Sequence, residues 1–116
     1  MRVIRLVAPL LNFWVAKSAG LNPIADGRGE GTFSVMNVVS GKLEPYQPTF
    51  DWSQAGPILA AQWDELETLM IDWFGPRWSY MQDFLDSPLT WLMRGYVTIQ
   101  FGDEVEEWSP DDEAKL

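Results

Sequence analysis

Residues 68–84 read TLMIDWFGPRWSYMQDF, and the choice between strands and a helix here decides what kind of molecule the chain makes. Trp73 and Trp78 flank the central Gly75-Pro76, while Met70, Ile71, Tyr80 and Met81 continue the two arms. Aromatic content and the Gly-Pro break favour an antiparallel hairpin with arms 68–74 and 77–84. A helix is the competing reading, because residues 64–74 also carry helical periodicity. With the hairpin adopted, the segment supplies two strands of a small sheet.

Just downstream, Ser87-Pro88 has the form of a helix start, with Ser as the cap and Pro at the first position. The helix is predicted to run to Phe101 and stop at Gly102. Leu89, Leu92, Met93, Tyr96, Val97 and Gln100 trace its inner face, and Gly95 offers a place for another element to come close. Upstream, residues 57–65 read as a short helix starting at Gly56-Pro57. Residues 44–56 (EPYQPTFDWSQAG) read as an irregular stretch, because Pro45 and Pro48 deny ladder hydrogen bonds.

In the first half, residues 9–19 are predicted to be helical, with Pro9 in the first turn and Gly20 at the exit. Leu11, Trp14, Val15 and Ser18 share a face there. Residues 2–7 fit either a lead-in strand or an extension of that helix. The glycine-rich stretch 20–31 reads as a loop. Residues 32–39 alternate as a strand, with Phe33, Val35, Asn37 and Val39 on one side and Ser34, Met36 and Val38 on the other. Ser40-Gly41 marks a turn, with Lys42-Leu43 returning as a short partner strand. The expected fold is α+β: a small antiparallel sheet of three to five strands, with the first and last helices on one face. Residues 1–105 form a single domain, and 106–116 an acidic tail that frays. An uncovered sheet edge would permit a homodimer.

Composition narrows function more than motifs do. The 116 residues contain neither cysteine nor histidine. That removes thiolate chemistry, the commonest general base and the commonest metal ligand. No cofactor or metal is expected. The acids cluster at Asp64, Glu65 and Glu67 and again at Glu104, Glu106 and Glu107, but neither group adjoins a credible nucleophile. The expectation is therefore a protein that acts by binding, not by catalysis.

With 17 acids against 8 bases, the formal net charge is −9. Too few bases are available for a phosphate-binding face, so direct nucleic-acid binding is disfavoured. An acidic surface suits a basic partner protein instead. The apolar start with Arg2 and Arg5 only weakly imitates a signal peptide. No stretch reaches the ~18 apolar residues of a membrane span.

The expected binding site takes one of two alternative forms. One is for a small nucleotide-like ligand, built from Asn12 and Trp14, from Tyr46, Asp51, Trp52, Ser53, Gln54, Gly56 and Pro57, and from Trp91 and Arg94. Rings would stack on a base, helix-start amides at Gly56-Pro57 would receive a phosphate, and the Arg94 fork would hold an anion. The alternative is the acidic tail, Asp103, Glu104, Glu106, Glu107, Asp111, Asp112 and Glu113, occupying a basic surface of a host protein.

Three blocks add a resemblance: LLNFWVAKSAG (residues 10–20), YQPTFDWSQAGPI (46–58) and SPLTWLMRGYVTIQFGDEVE (87–106). In this order they resemble small phage and prophage proteins of the lambdoid NinX type, whose function is uncharacterised. Where relatives carry two glycines before the proline of the middle block, this chain has Ala55-Gly56-Pro57. The resemblance implies phage origin and the bacterial host cytoplasm as workplace. As a class expectation, it also implies an accessory role such as antagonism of host defence.

Overall fold

A computed structural model describes residues 1–25, 33–36 and 40–106. The fold is α+β. Helix α1 (Leu10–Ser18) is followed by three strands, β1 (Ile24–Ala25), β2 (Phe33–Met36) and β3 (Leu43–Pro45). Then come α2 (Trp52–Phe74), α3 (Gln82–Asp86) and α4 (Pro88–Phe101). The sheet is antiparallel in the order β1-β2-β3, with Ser34 opposite both Ile24 and Pro45. Phe33 and Val35 are buried on one side as the alternation predicts, and Met36 is exposed; Ser34 is nevertheless fully buried. Thr32 and residues 37–39 of the predicted strand lie outside the described residues.

Residues 68–84 do not form a hairpin. Helix α2 runs through to Phe74, and Gly75, at φ 93°, ends it. A 3-10 turn at Trp78–Tyr80 and the short α3 follow. The reason is tertiary. Leu66 and Met70 are fully buried one turn apart, and Leu69, Trp73 and Phe74 pack around them. That is the i, i+3, i+4 stripe of a helix laid on a partner, here α4. Full burial of each such side chain stabilises the fold by ~1.5–3 kcal/mol, more than local strand preference can offset. Ile71, Tyr80 and Met81, which would have packed within a hairpin, are exposed.

The start of α2 also differs from expectation. Asp51 is its N-cap, accepting hydrogen bonds from the Ser53 N–H at 2.9 Å and the Ser53 hydroxyl at 2.5 Å. Gly56 and Pro57 therefore lie inside the helix and do not open it. The helix bends at Gln62 (φ −120°, ψ 16°), where two helical segments meet. Residues 44–56 are accordingly more regular than predicted, being shared between β3, a turn and the first turn of α2.

Residues 2–7 are neither strand nor α1 extension. Val3–Arg5 make one 3-10 turn, and a single bridge pairs Arg2 with Glu104. Val3 N–H donates to the Asp103 carbonyl and Val105 N–H to that of Met1, both at 2.9 Å. The first residues are thereby clasped to those just beyond α4. Helix α4 keeps its predicted limits, with Gly102 at φ 87°. Its predicted inner face is buried except for Gln100, which is exposed. Ser87 holds the cap position without a side-chain cap bond.

At Gly95 the axes of α2 and α4 come close. A Cβ there would lie 2.9 Å from Leu66 Cδ2 and 3.2 Å from Met70 Cε, so only glycine fits without a shift. α4 packs against both α1 and α2, and α1 covers β2, where the Phe13 and Phe33 ring centres are 5.1 Å apart. The last helix thus packs on the other helices, while α1 carries the helix–sheet contact.

Candidate binding site

The loop between β3 and α2 is pinned from several directions. Tyr46 N–H donates to the Phe33 carbonyl, while Phe50 and Asp51 N–H both donate to the Gln47 carbonyl, all at 2.9 Å. The Gln54 carboxamide reaches back from α2: its Nε2 donates to the Pro45 carbonyl at 2.8 Å, and its Oε1 accepts from the Gln47 N–H at 2.7 Å. From α1, Asn12 Oδ1 accepts from the Thr49 N–H at 3.2 Å and the Thr49 hydroxyl at 3.0 Å. With Pro48 and Thr49 held inside, the next residue is turned out: Phe50 is 72% exposed.

Three depressions meet at Phe50. A pocket of about 240 Å³ is lined by Ala8, Pro9, Asn12, Phe33, Tyr46, Gln47 and Phe50. On its far side, Phe50 also borders a wider hollow containing Glu44, Asp51, Trp52, Ser53 and Gln54. With Trp52 it borders a third hollow that reaches Asp86 and the start of α4. Trp52 is 58% exposed. Among the described residues of all three linings the charged side chains are Glu44, Asp51 and Asp86, and no base is with them.

Electrostatics sharpen this. Hydrogen bonds from Ser53 hold the Asp51 carboxyl below its usual range, so it stays ionised. Burial, with Tyr96 beside it, pushes the Tyr46 phenol up to about 12. The Tyr46 phenol therefore stays neutral well above ordinary pH.

The predicted site residues separate into three places. Asn12 and Tyr46 share the pocket; Asp51, Trp52, Ser53 and Gln54 share the adjoining hollow. Trp14 goes elsewhere, because residues two apart on a helix face away from each other. It packs edge-on against Phe13 and Phe101, with its buried Nε1 bonded to nothing among the described residues. Trp91 and Arg94 form a third cluster. Trp91 Nε1 donates to the Asp83 carbonyl at 3.0 Å, and its ring packs against Phe74 and Trp73.

Arg94 is buried over the Trp91 ring, and its Nε donates to the Leu6 carbonyl at 2.8 Å. Burial lowers its pKa. It lines none of the depressions around Phe50 and is not an anion clamp for that site. The helix-start phosphate site fails as well. The Gly56 and Pro57 positions are within α2, and its true N-terminus is already occupied by the Asp51 carboxylate.

Asp103, Glu104 and Glu106 are exposed, and Glu107, Asp111, Asp112 and Glu113 lie outside the described residues. Asp64 and Glu65 border a shallow hollow with Thr98. Among the described residues no acidic group has the grouping to hold a metal ion. No helix among them is long and apolar enough to cross a membrane.

Sequence reasoning missed Pro9, Phe33, Gln47 and, above all, Phe50 as site residues. Phe50 had a signal, a large ring between a proline-bearing turn and a capping Asp; the others converge only through the tertiary fold. No family model matches the chain, and no curated protein matches it.

Proposed function

We propose that this protein works by occupancy, holding a small nucleobase-bearing ligand by its ring in the pocket between Asn12, Tyr46 and Phe50. The observation that carries this reading is a mostly apolar, ring-lined pocket with a buried carboxamide in its wall. Such pockets pair an apolar lining with a few placed polar groups. At about 240 Å³ it falls below the ~300–1,000 Å³ usual for whole drug-sized ligands, so one planar group is the natural occupant. The likeness of three sequence blocks to NinX-type phage proteins supports a bacterial host cytoplasm as the setting and sequestration of a host defence signal as the use.

Calorimetry and thermal shift against nucleobases, cyclic nucleotides and nicotinamide-derived signals test this reading. At least one compound should stabilise the wild type and lose that effect in Phe50→Ala. A flat response across the panel defeats the proposal.

A second reading rests on the rim: Phe50 and Trp52 stand exposed amid Glu44, Asp51 and Asp86. Exposed aromatic anchors ringed by one sign of charge suit a basic partner protein. Salt-sensitive capture of a host protein, abolished by Trp52→Ala and by Glu44→Lys with Asp86→Lys, would favour it over the first. Capture indifferent to both changes would remove it.

A further inference from the structure

We infer that the pocket between Asn12 and Phe50 selects an uncharged planar ring bearing a carbonyl oxygen, and rejects anions. This deepens the proposed ligand-binding reading and rests on it. The orientation of one carboxamide sets the chemistry of the wall. Asn12 is 3% exposed, and the edge of its side chain facing Thr49 meets a backbone N–H. Only oxygen can accept there, so the oxygen–nitrogen assignment is fixed by chemistry. Thr49 does not line the pocket, whereas Asn12 does. The edge left to meet the pocket is therefore the NH₂ group, which donates to nothing among the described residues.

A donor at a pocket wall on a side chain only 3% exposed is best matched by an acceptor on the occupant. The neighbouring surfaces decide its form. Pro9, Phe33, Tyr46 and Phe50 present flat apolar walls, which suit a planar ring. None of the lining side chains among the described residues is charged. Across Phe50 stand the carboxylates of Glu44 and Asp51, so a carboxylate or phosphate on the ligand would meet like charge there and no base among the described residues. A neutral carbonyl satisfies the Asn12 amide without that penalty. Rings of the pyrimidinone, pyridone or lactam kind carry such an oxygen in the plane of the ring.

Matched probes separate the claims. Uracil and its carboxylated form, orotate, differ by a charge; N-methylpyridone and o-xylene are alike in shape, lack any N–H, and differ by the carbonyl acceptor. NMR titration should show uracil and N-methylpyridone shifting resonances of Tyr46 and Phe50. Orotate and o-xylene should bind about five-fold more weakly, as expected for one unfavourable charge or one lost neutral hydrogen bond.

Asn12→Asp at mildly alkaline pH keeps the acceptor for Thr49 but replaces the donor, and should bring N-methylpyridone, which has no N–H to offer the carboxylate, down to the level of o-xylene. Phe50→Ala, at an exposed position, leaves folding alone and should weaken every probe. Equal binding of N-methylpyridone and o-xylene, still sensitive to Phe50→Ala, overturns the carbonyl inference while leaving the ligand-binding reading intact. Orotate binding as tightly as uracil overturns the charge selection. No binding by any probe overturns both.

Discussion

The Arg94 guanidinium carbon lies 4.5 Å from the centre of the Trp91 ring, while its Nε donates to the Leu6 carbonyl at 2.8 Å. An arginine that looks from sequence like a ligand clamp is thus a brace, joining α4 to the segment before α1. Arg94→Ala would leave the Leu6 carbonyl unpaired and strip one face of Trp91, costing ~2–3 kcal/mol. Urea unfolding should register that loss, and ligand affinity in the Phe50 pocket should be unchanged.

Gly95 sets the distance between α2 and α4. An added methyl gains ~1 kcal/mol of helix propensity, but its 2.9 Å approach to Leu66 Cδ2 overfills the interface. Overpacking of this kind costs ~1–3 kcal/mol. Gly95→Ala should therefore be destabilising on balance, and Gly95→Val clearly more so. In a double-mutant cycle with Met70→Ala, the penalty at residue 95 should shrink, because Met70 Cε is the next atom in the way.

Tyr46 gives an alkaline signature. Its folded pKa, about 12, lies above the ordinary value of 10.0, so the neutral phenol is the form the fold favours. That stabilisation is complete below the unfolded value and is lost as pH rises from 10.0 toward 12. Stability measured across that range should fall more steeply for wild type than for Tyr46→Phe. Burial also raises the Tyr96 phenol, so a tyrosinate absorbance titration should show late ionisation from both, and Tyr46→Phe should remove the Tyr46 component.

Asp51 gives the opposite sign. Its carboxyl pKa is lowered in the folded state by the Ser53 hydrogen bonds. Its contribution is present above the unfolded value and fades only as pH falls below the ordinary carboxylate range. Asp51→Asn should keep the cap but lose this acid dependence, whereas Asp51→Ala should lower the melting temperature at neutral pH.

Where local signals and packing agree, the sequence is readable. Ser87-Pro88 and Gly102 bracket α4, and Leu89, Leu92, Met93, Tyr96 and Val97 are its buried face as their spacing implies. Residues 68–84 show the converse. Their rings suit strands locally, but the stripe of Leu66 and Met70 has a partner only once α4 lies across it, and residues 64–74 follow that partner. Asn12 and Tyr46, two of the candidates read from sequence, line one pocket. The pocket's remaining walls, Pro9 and Phe33, come from separate segments that meet only when α1 covers β2. α1 does reach the loop before α2 through Asn12 and Thr49, but Trp14, two residues further on, is turned to another face of the helix.

The glycine at residue 95 also works as a gauge for chains descended from a common ancestor. Two helices that touch across a single missing methyl leave evolution a joint choice of residues. Any relative that carries a larger residue at the position of Gly95 should show a compensating trim at the positions of Leu66 or Met70, whose atoms stand nearest. Paired change at those sites, read from a set of kindred sequences, would record this helix crossing without a coordinate being measured.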